Sequence, residues 1–498
     1  MSELPRSWLD VEIGSIADVV AGGTPKAKEE SYFSIAGEGI AWLTPADLSG
    51  YKYKEISHGK RDISQLGLDN SSAKLMPAGS LLFSSRAPIG YVAIAANEIA
   101  TNQGFKSFVF TQHIDSSYAY YYLKSIRGLA ESRGTGTTFK ELSGAMAKKL
   151  PFRLAPLNEQ TRIANKLDSI LAKVDKAQAR LDKIPAILKR FRQSVLAAAT
   201  SGELTKYTTY HSGEYYRELK LEIESNTKSK KLKPLSEGEV TLAHQLFDGV
   251  RWPQWNCYPL EMLVNVDRGI PYGIVQTGEH QEVGVPTIRC GDVKHLHIKT
   301  DALKIVSPEI EDKYARTRLK GREVLLAIRG TVGNAAVVTD ELIDMQANIS
   351  REVAMIPVRE NINPHYIALL LQSPGGYRAL AEKVRGVAQK GINLADVKRF
   401  VTPLPCLVEQ GDIVQKVEEL FLKANIVEKQ YLDAKSRLDR LTQSILAKAF
   451  RGELVPQDPT DEPAEQLLER ILKEREQAKP KKKATKKRVA KVKTVEKG

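Results

Sequence analysis

A chain of 498 residues, 42% hydrophobic and 27% charged, has material for about three domains with their own cores, and its balance excludes a fibrous or wholly disordered chain. Three cysteines, Cys257, Cys290 and Cys406, are odd in number and far apart, which excludes a disulfide framework and a zinc spacing and fits a reducing cytoplasm. The N-terminus lacks an apolar signal core and apolar runs such as Ile367 to Leu371 are too short to cross a bilayer, so no membrane partner is expected.

Residues 1–150 read as a compact mixed domain. Pro5 and Trp8 lead into a strand or short helix over Val11 to Val20, closed by Gly22-Gly23-Thr24-Pro25. The runs Ser80 to Phe83 and Tyr91 to Ala96, either side of Ser84 to Gly90, predict strand, tight turn, strand. Tyr118 to Ile126 is aromatic at helical spacing and reads as a core helix, and Gly134 to Lys140 as a polar Gly-rich loop. Pro151 to Pro156 ends the domain, with Asn158 the expected cap of a long helix over 151–205.

That helix carries apolar or small residues at Ile163, Leu167, Ile170, Val174, Ala177, Leu181, Ile184, Leu188, Phe191 and Val195, stepping four then three. Pro185 removes a helix hydrogen bond and is expected to kink or interrupt it. A charged linker, 206–250, follows, with Lys228, Lys230, Lys231 and Lys233 near its middle and a short helix expected at Gly213 to Glu224.

Residues 251–400 repeat the first plan with little identity. Trp252-Pro253-Gln254-Trp255 and Leu260 stand where Trp8 and Ile13 stood, Gly269 matches Gly22, and Asp292 sits like Asp47. Val324 to Ile328, Arg329-Gly330-Thr331-Val332-Gly333 and Asn334 to Val338 repeat strand, turn, strand, with Arg329 matching Arg86 and Gly333 matching Gly90. Gly386 to Asn393 replaces the earlier Gly-rich loop.

A second long helix, within 401–456, matches the first without a gap. Glu409-Gln410 answers Glu159-Gln160, Gln443-Ser444 answers Gln193-Ser194, and Gly452-Glu453-Leu454 answers Gly202-Glu203-Leu204. Its stripe runs Ile413, Val417, Leu420, Ala424, Val427, Tyr431, Ala434, Leu438, Leu441 and Ile445. Such a stripe over four heptads predicts that the two helices pair as a coiled coil. Residues 457–498 are expected to hold a short amphipathic helix, Pro463 to Ala478, and a basic disordered tail. Ten lysines and arginines fall in 479–498, so much of the net charge of +14 belongs to the tail and the body is only mildly basic.

The fold class that follows is α+β: two similar mixed α/β domains separated by two long helices in an antiparallel coiled coil with a pseudo-two-fold axis. From 163 to 195 the stripe spans roughly 50 Å at about 1.5 Å per residue, against ~34–36 Å for one turn of DNA. Two reading heads on such a rod suit a split DNA sequence.

Signatures of catalysis are missing: no phosphate-cradling Gly-x-x-x-x-Gly-Lys-Ser/Thr, no Gly-x-Gly-x-x-Gly after a strand and no Gly-x-Ser-x-Gly elbow. The Asn/Asp-Pro-Pro-aromatic motif of amino-methyltransferases is missing too. His295-x-His297 lacks spaced partners for a metal and reads as a surface pair. No catalytic residue, metal or cofactor is expected on this chain.

Taken in order, these motifs resemble the specificity subunit of type I restriction-modification systems. The resemblance rests on Pro156 to Gln160 and Leu404-Pro405 to Gln410 opening the helices, and on Gly202 to Leu204 and Arg451 to Leu454 closing them. Leu4-Pro5 to Trp8, Gly23-Thr24-Pro25 and Arg329 to Gly333 add to it. It implies two target-recognition domains of variable sequence reading a bipartite site in double-stranded DNA. It implies helices that set the gap and dock two methyltransferase subunits, with restriction subunits joining them. S-adenosylmethionine and ATP then belong to those partners. The alternative class is a coiled-coil adaptor whose end domains bind proteins.

Base edges are read by side chains on loops and turns, while phosphate contacts position the protein. In the first domain Arg86, Lys106, Arg133, Thr137 and Lys140 are the candidates, and in the second Arg289, Arg329, Asn348, Arg351, Gln389 and Lys390. Gly90 and Gly333 are expected to serve the backbone at positive φ. Lys166, Arg190, Arg192, Lys416, Arg437 and Arg440, off the stripe, are candidates for the methyltransferase dock or for a solvated face. The tail lysines suit either sequence-blind DNA affinity or a solubilising role.

Overall fold

The computed structural model describes residues 4–478 apart from Ala87, 137–139, Tyr207, 228–231, 248–253 and 387–389. The basic tail, Trp252-Pro253, Lys228, Lys230 and Lys231 therefore lie outside the described residues. The chain divides into two compact mixed α/β units, Met1–Leu181 with Asp433–Gly498, and Asp182–Leu432.

In the first unit a five-stranded sheet runs Ala17–Ala21, Lys106–Phe110, Leu81–Phe83, Val92–Ala95, Glu55–Ile56, antiparallel except for the last pair. The predicted strand–turn–strand is the central pair of this sheet. The region read as strand or short helix is both: strand Leu9–Glu12, one helical turn Ile13–Ile16, then strand Ala17–Ala21. Leu9–Glu12 pairs antiparallel with Pro151–Leu154, which closes the domain just before the long helix. The helix Ser116–Ser125 is core, as its tyrosine spacing predicts, with Tyr118 and Tyr122 buried. Phe450, past the end of the second long helix, packs against both rings, with centroids 5.3 and 5.0 Å away. The helix Ala464–Ala478 joins the same core through Ala464, Leu467 and Ile471.

The second unit repeats the scheme. Glu323–Ala327 lies between Ala335–Val337 and Val353–Pro357, all antiparallel. Val285–Ile288 lies between Lys304–Val306 and Asn348–Ile349, the last pair parallel. Asn256–Pro259 pairs with Val401–Leu404 as Leu9–Glu12 does with Pro151–Leu154. Gly22 has its counterpart in Gly273 rather than Gly269. A Cβ on Gly22 would meet the Asn102 carbonyl oxygen at 1.9 Å and one on Gly273 the Ile349 oxygen at 1.8 Å, whereas Gly269 faces open space at a φ of 59°. The requirement is close backbone approach, which spacing alone did not locate. The charged stretch 206–250 holds the expected helix, extended to Gly213–Thr227, and a second one at Glu237–Leu246. Leu219, Ile223, Ala243 and Phe247 bury into the unit's core, and Glu222 and Glu239 each pair at 2.6 Å with Arg359 and Arg399.

Pro185 acts as expected. Helix ends at Leu181 and resumes over Ile184–Thr200 with the proline in its first turn, where a missing N–H costs nothing. With Lys435 in place of proline, the second helix is continuous over Leu407–Ala449. Asn158 is not a cap: the first helix starts at Leu157, and the Asn158 amide donates to Asp461 at 3.2 Å. Burial along the stripe is uneven. Ile163, Leu167, Leu188, Ile413, Val417 and Ile445 are buried, Ile170, Val174, Leu181, Leu420 and Leu438 half-buried, and Val427 and Leu441 are 43% and 46% exposed. Ile163, Leu167, Ile413, Val417 and Ile445 belong to a domain core, where a sheet and a helix together cover more of a side chain than one helix alone, whereas Leu188 is buried outside those cores. In the second unit Arg192 donates to Glu428 at 2.7 Å while Lys416 donates to the Leu204 carbonyl at 2.9 Å.

One hydrogen-bonded node occurs in each unit and accounts for the identical Glu-Gln pairs. In the first, Trp8 donates its indole N–H to Glu159 at 2.9 Å, and Gln457 donates to the other carboxylate oxygen. Gln160 accepts from the Asp115 N–H at 3.0 Å and donates to the Ala155 carbonyl at 2.8 Å. In the second, Trp255 donates to Glu409 at 3.0 Å and Thr205 supplies the other donor at 2.7 Å. Gln410 there accepts from the Asn363 N–H and donates to the Pro405 carbonyl, both at 2.8 Å. The closing Gly202 and Gly452 take φ of 77° and 74°, the left-handed turn that ends a helix and brings Thr205 and Gln457 to the carboxylates.

Glu159 is buried, and burial raises its pKa above the ordinary carboxylate value despite the two donors. The folded chain then binds its proton more readily than the unfolded chain, so this group's contribution to stability falls as pH rises from the ordinary value through the raised one. Glu159→Gln, which keeps an acceptor for Trp8, is expected to flatten that slope in urea titrations across acid pH. Glu159→Ala strands the indole N–H and is expected to cost about 1–3 kcal/mol, read from the urea midpoint.

Candidate nucleic-acid interface

In each unit the strand–turn–strand projects a turn that neighbouring loops hold from behind. Gly90 and Gly333 stand at φ of 92° and 98°, and their N–H groups return to Ser84 and Ala327 at 3.0 and 2.9 Å. Both conformations favour glycine, as expected. Behind the turns, Leu142 N–H donates to the Ser85 carbonyl at 2.8 Å and Ile392 N–H to Ile328 at 2.9 Å, fixing the Gly-rich loops. Ser85 N–H donates to Gly104 at 2.7 Å, and Ile328 N–H to Glu352 at 2.9 Å. Asp47 and Asp292 accept from the N–H groups of Thr44 and Arg289 at 2.7 and 2.8 Å, which confirms their equivalence.

The second unit gathers four of its candidate cations on these loops. Thr331 donates to the Cys290 carbonyl at 3.0 Å, and Gly330 N–H to the Lys390 carbonyl at 3.3 Å. Arg289, Arg329, Arg351 and Lys390 are exposed on the loops so joined. Arg289 has Asp292 at 3.6 Å; the other three have no side-chain partner among the described residues. Burial and the nearby Glu352 push the Cys290 thiol pKa up, so it adds no negative charge there. Arg385, 71% exposed and hydrogen-bonded through its backbone to Gly391, belongs to this face and was not singled out by sequence. Its place just before Gly386, at the mouth of the Gly-rich loop, was the available signal.

Asn348 is a correction. It is fully buried, donates to Glu311 at 2.7 Å and to the Tyr314 carbonyl at 3.2 Å, and accepts from Thr317 at 2.7 Å. A polar residue in an otherwise apolar strand signalled an internal network rather than a contact. Gln389 lies outside the described residues.

The first unit arranges its cations differently. Arg86 and Lys106 share Glu141, at 3.8 and 3.4 Å, with the Lys106 side chain only 12% exposed. Lys140 is exposed beside them. Arg133 donates to the Lys149 carbonyl at 2.6 Å and so caps a helix end. Thr137 lies outside the described residues. Of the candidates for a docking face, Arg192 and Lys416 are spent on contacts within the second unit. Lys166, Arg190, Arg437 and Arg440 are exposed. Among the described residues no three His, Cys, Asp or Glu gather to hold a metal, and no helix is long and apolar enough to cross a membrane.

Two repeated domains with basic loops over a common scaffold define a nucleic-acid specificity protein. Residues 5–186 and 273–434, more than half of the chain, match the family described as type I restriction modification DNA specificity domain. The chain is 32% identical over 488 residues to the type I restriction enzyme EcoBI specificity subunit of Escherichia coli, covering 94% of this chain and 92% of that one. It is 28% identical over 501 residues to the EcoKI specificity subunit of Escherichia coli strain K12, covering 95% and 96%. In fold it is similar to the HsdS subunit from Thermoanaerobacter tengcongensis, with a TM-score of 0.52 and 18% identity over 91% of this chain and 98% of that one. A chain solved in work on complex assembly and conformational transition of the type I R-M system gives a TM-score of 0.58 at 17% identity, covering 91% and 100%. The chain belongs to the type I restriction-modification specificity subunit family, whose role is recognition and not catalysis.

Arg329→Ala is expected to lower affinity for specific duplex DNA about tenfold at matched salt, with an unchanged melting temperature, in fluorescence anisotropy titrations. Asn348→Ala is expected to do the reverse, costing ~2–3 kcal/mol of stability by thermal unfolding while sparing the exposed cations.

Proposed function

We propose that this specificity subunit reads a bipartite site in double-stranded DNA, one target-recognition domain to each half. On this reading the two long helices pack as an antiparallel coiled coil with a pseudo-two-fold relation and fix the gap between the halves. The observation that carries the proposal is the repeated node: in each unit the opening Glu of one long helix meets the segment that closes the other, Glu159 with Gln457 and Glu409 with Thr205. Antiparallel packing has support within the second unit, where the partner number falls from 428 to 416 as the first rises from 192 to 204. DNA recognition has support in the four exposed cations on joined loops of that unit.

The subunit docks two methyltransferase subunits and joins restriction subunits, which carry S-adenosylmethionine and ATP and do the chemistry; Lys166, Arg190, Arg437 and Arg440 remain available as docking groups. It works in the cytoplasm, with the DNA it reads. Methylome sequencing of a host supplied with this chain and its partner subunits tests the proposal. Two short specified stretches separated by a fixed unspecified gap are expected; a continuous motif, or no new methylation, overturns bipartite recognition.

A further inference from the structure

Arg61, which no loop or motif argument marked, is held unlike any other cation of the chain's described residues. It starts the strand Arg61–Ile63, which pairs antiparallel with Phe33–Ile35. Asp62 turns to the opposite face, where it is buried and accepts from the N–H groups of Gly37 and Gly39 at 2.7 and 3.2 Å. Arg61 lies over two rings, its guanidinium carbon 3.8 Å from the Phe33 centroid and 5.6 Å from that of Trp42. The platform is rigid: Trp42 is buried, donates its indole N–H to the Gly23 carbonyl at 3.0 Å, and meets Phe33 edge-on at 6.0 Å. Arg61 itself is exposed, and among the described residues no acceptor satisfies its five N–H donors.

A guanidinium lying on a ring keeps its donors in its own plane, directed outward, and has already lost the rotamer freedom that a free arginine gives up on binding. Its fork suits two acceptors side by side, as guanine O6 and N7 or two phosphate oxygens present them. The position suits the interface. Lys60 N–H donates to Asp47 at 3.1 Å, Pro45 in the Asp47 turn lies against Gly104, and the Gly104 carbonyl holds Ser85 beside Arg86. Among the described residues the second unit has no cation so stacked.

We propose that Arg61, braced by Phe33 and Trp42, grips a pair of acceptors on duplex DNA, a guanine edge or a phosphate, and does so for one half of the site only. The inference rests on the DNA-recognition reading above. The test uses the full chain with its methyltransferase partners and a randomised duplex library, with binding selection and sequencing for the parent, Arg61→Ala, Arg61→Lys, Phe33→Leu and Arg329→Ala. Arg61→Ala is expected to weaken binding about tenfold. If the acceptors are guanine's, preference for that base fades at one position of one half-site. If they are phosphate's, all sequences weaken alike and the salt slope shrinks by about 1. Arg61→Lys, which keeps the charge and loses the fork, is expected not to restore binding; full restoration overturns the two-acceptor grip. Phe33→Leu is expected to give a partial loss with Arg61 still present, and parent-like binding by it overturns the bracing. Parent-like affinity and preferences in Arg61→Ala, while Arg329→Ala is weakened, overturn the proposal and leave DNA recognition standing. No sequence preference in the parent itself overturns DNA recognition.

Discussion

A carboxylate taken out of water must find donors, and in this chain two such carboxylates, Glu159 and Glu409, decide how each domain meets its helix. Each stands in the first turn of a long helix and is bonded by a tryptophan from the start of the adjoining domain and by a residue just past a helix end. The neighbouring Gln160 and Gln410 then fasten the start of each core helix, Ser116–Ser125 and its counterpart Pro364–Gln372, whose Tyr118 and Tyr366 reach the Arg153 and Pro403 carbonyls at 2.7 and 2.8 Å. Strand, helix opening, helix closing and core helix thus converge on two side chains. Loss of either donor weakens the compensation of a buried charge, so the arrangement admits few residue types and recurs in both halves of the chain.

What sequence reasoning could see follows from this. Repetition, heptad stepping and turn glycines are local signals, and from them came the strand–turn–strand pairs, the core helix at Tyr118, the break at Pro185 and the helix at the C-terminal end. The identical Glu-Gln and Gly-Glu-Leu motifs were visible as identities, but their meaning required Trp8, Gln457, Trp255 and Thr205, which are distant in sequence from the glutamates they bond. The charged stretch after Leu204 read as a linker because its few apolar residues, Leu219, Ile223, Ala243 and Phe247, are diluted by lysine and glutamate; their burial depends on a core built elsewhere. Asn348 misled for a physical reason. Polar residues near turns satisfy backbone and buried groups as often as they face a partner, and only coordinates separate the two.

Below the shared scaffold, the two domains part company in their charges. Arg329 matches Arg86 in place, yet the loop that pairs with it offers Gly391, while Arg86 meets Glu141. A carboxylate there neutralises part of the first domain's basic cluster and must be displaced or outcompeted when an anion approaches; a glycine imposes no such cost. A difference of one side chain at an equivalent backbone position therefore changes how strongly a turn attracts phosphate without altering the fold.

That separation of duties is the physical basis for specificity in a duplicated chain. The nodes at Glu159 and Glu409 are buried, fully donated to and indifferent to what the loops carry. The loops are joined to one another by backbone bonds, as between Gly330 and Lys390 or Ser85 and Gly104, so their exposed side chains are free to differ. A scaffold held by side chains and a surface held by backbone can change independently. The same framework then presents one chemistry from its first domain and another from its second.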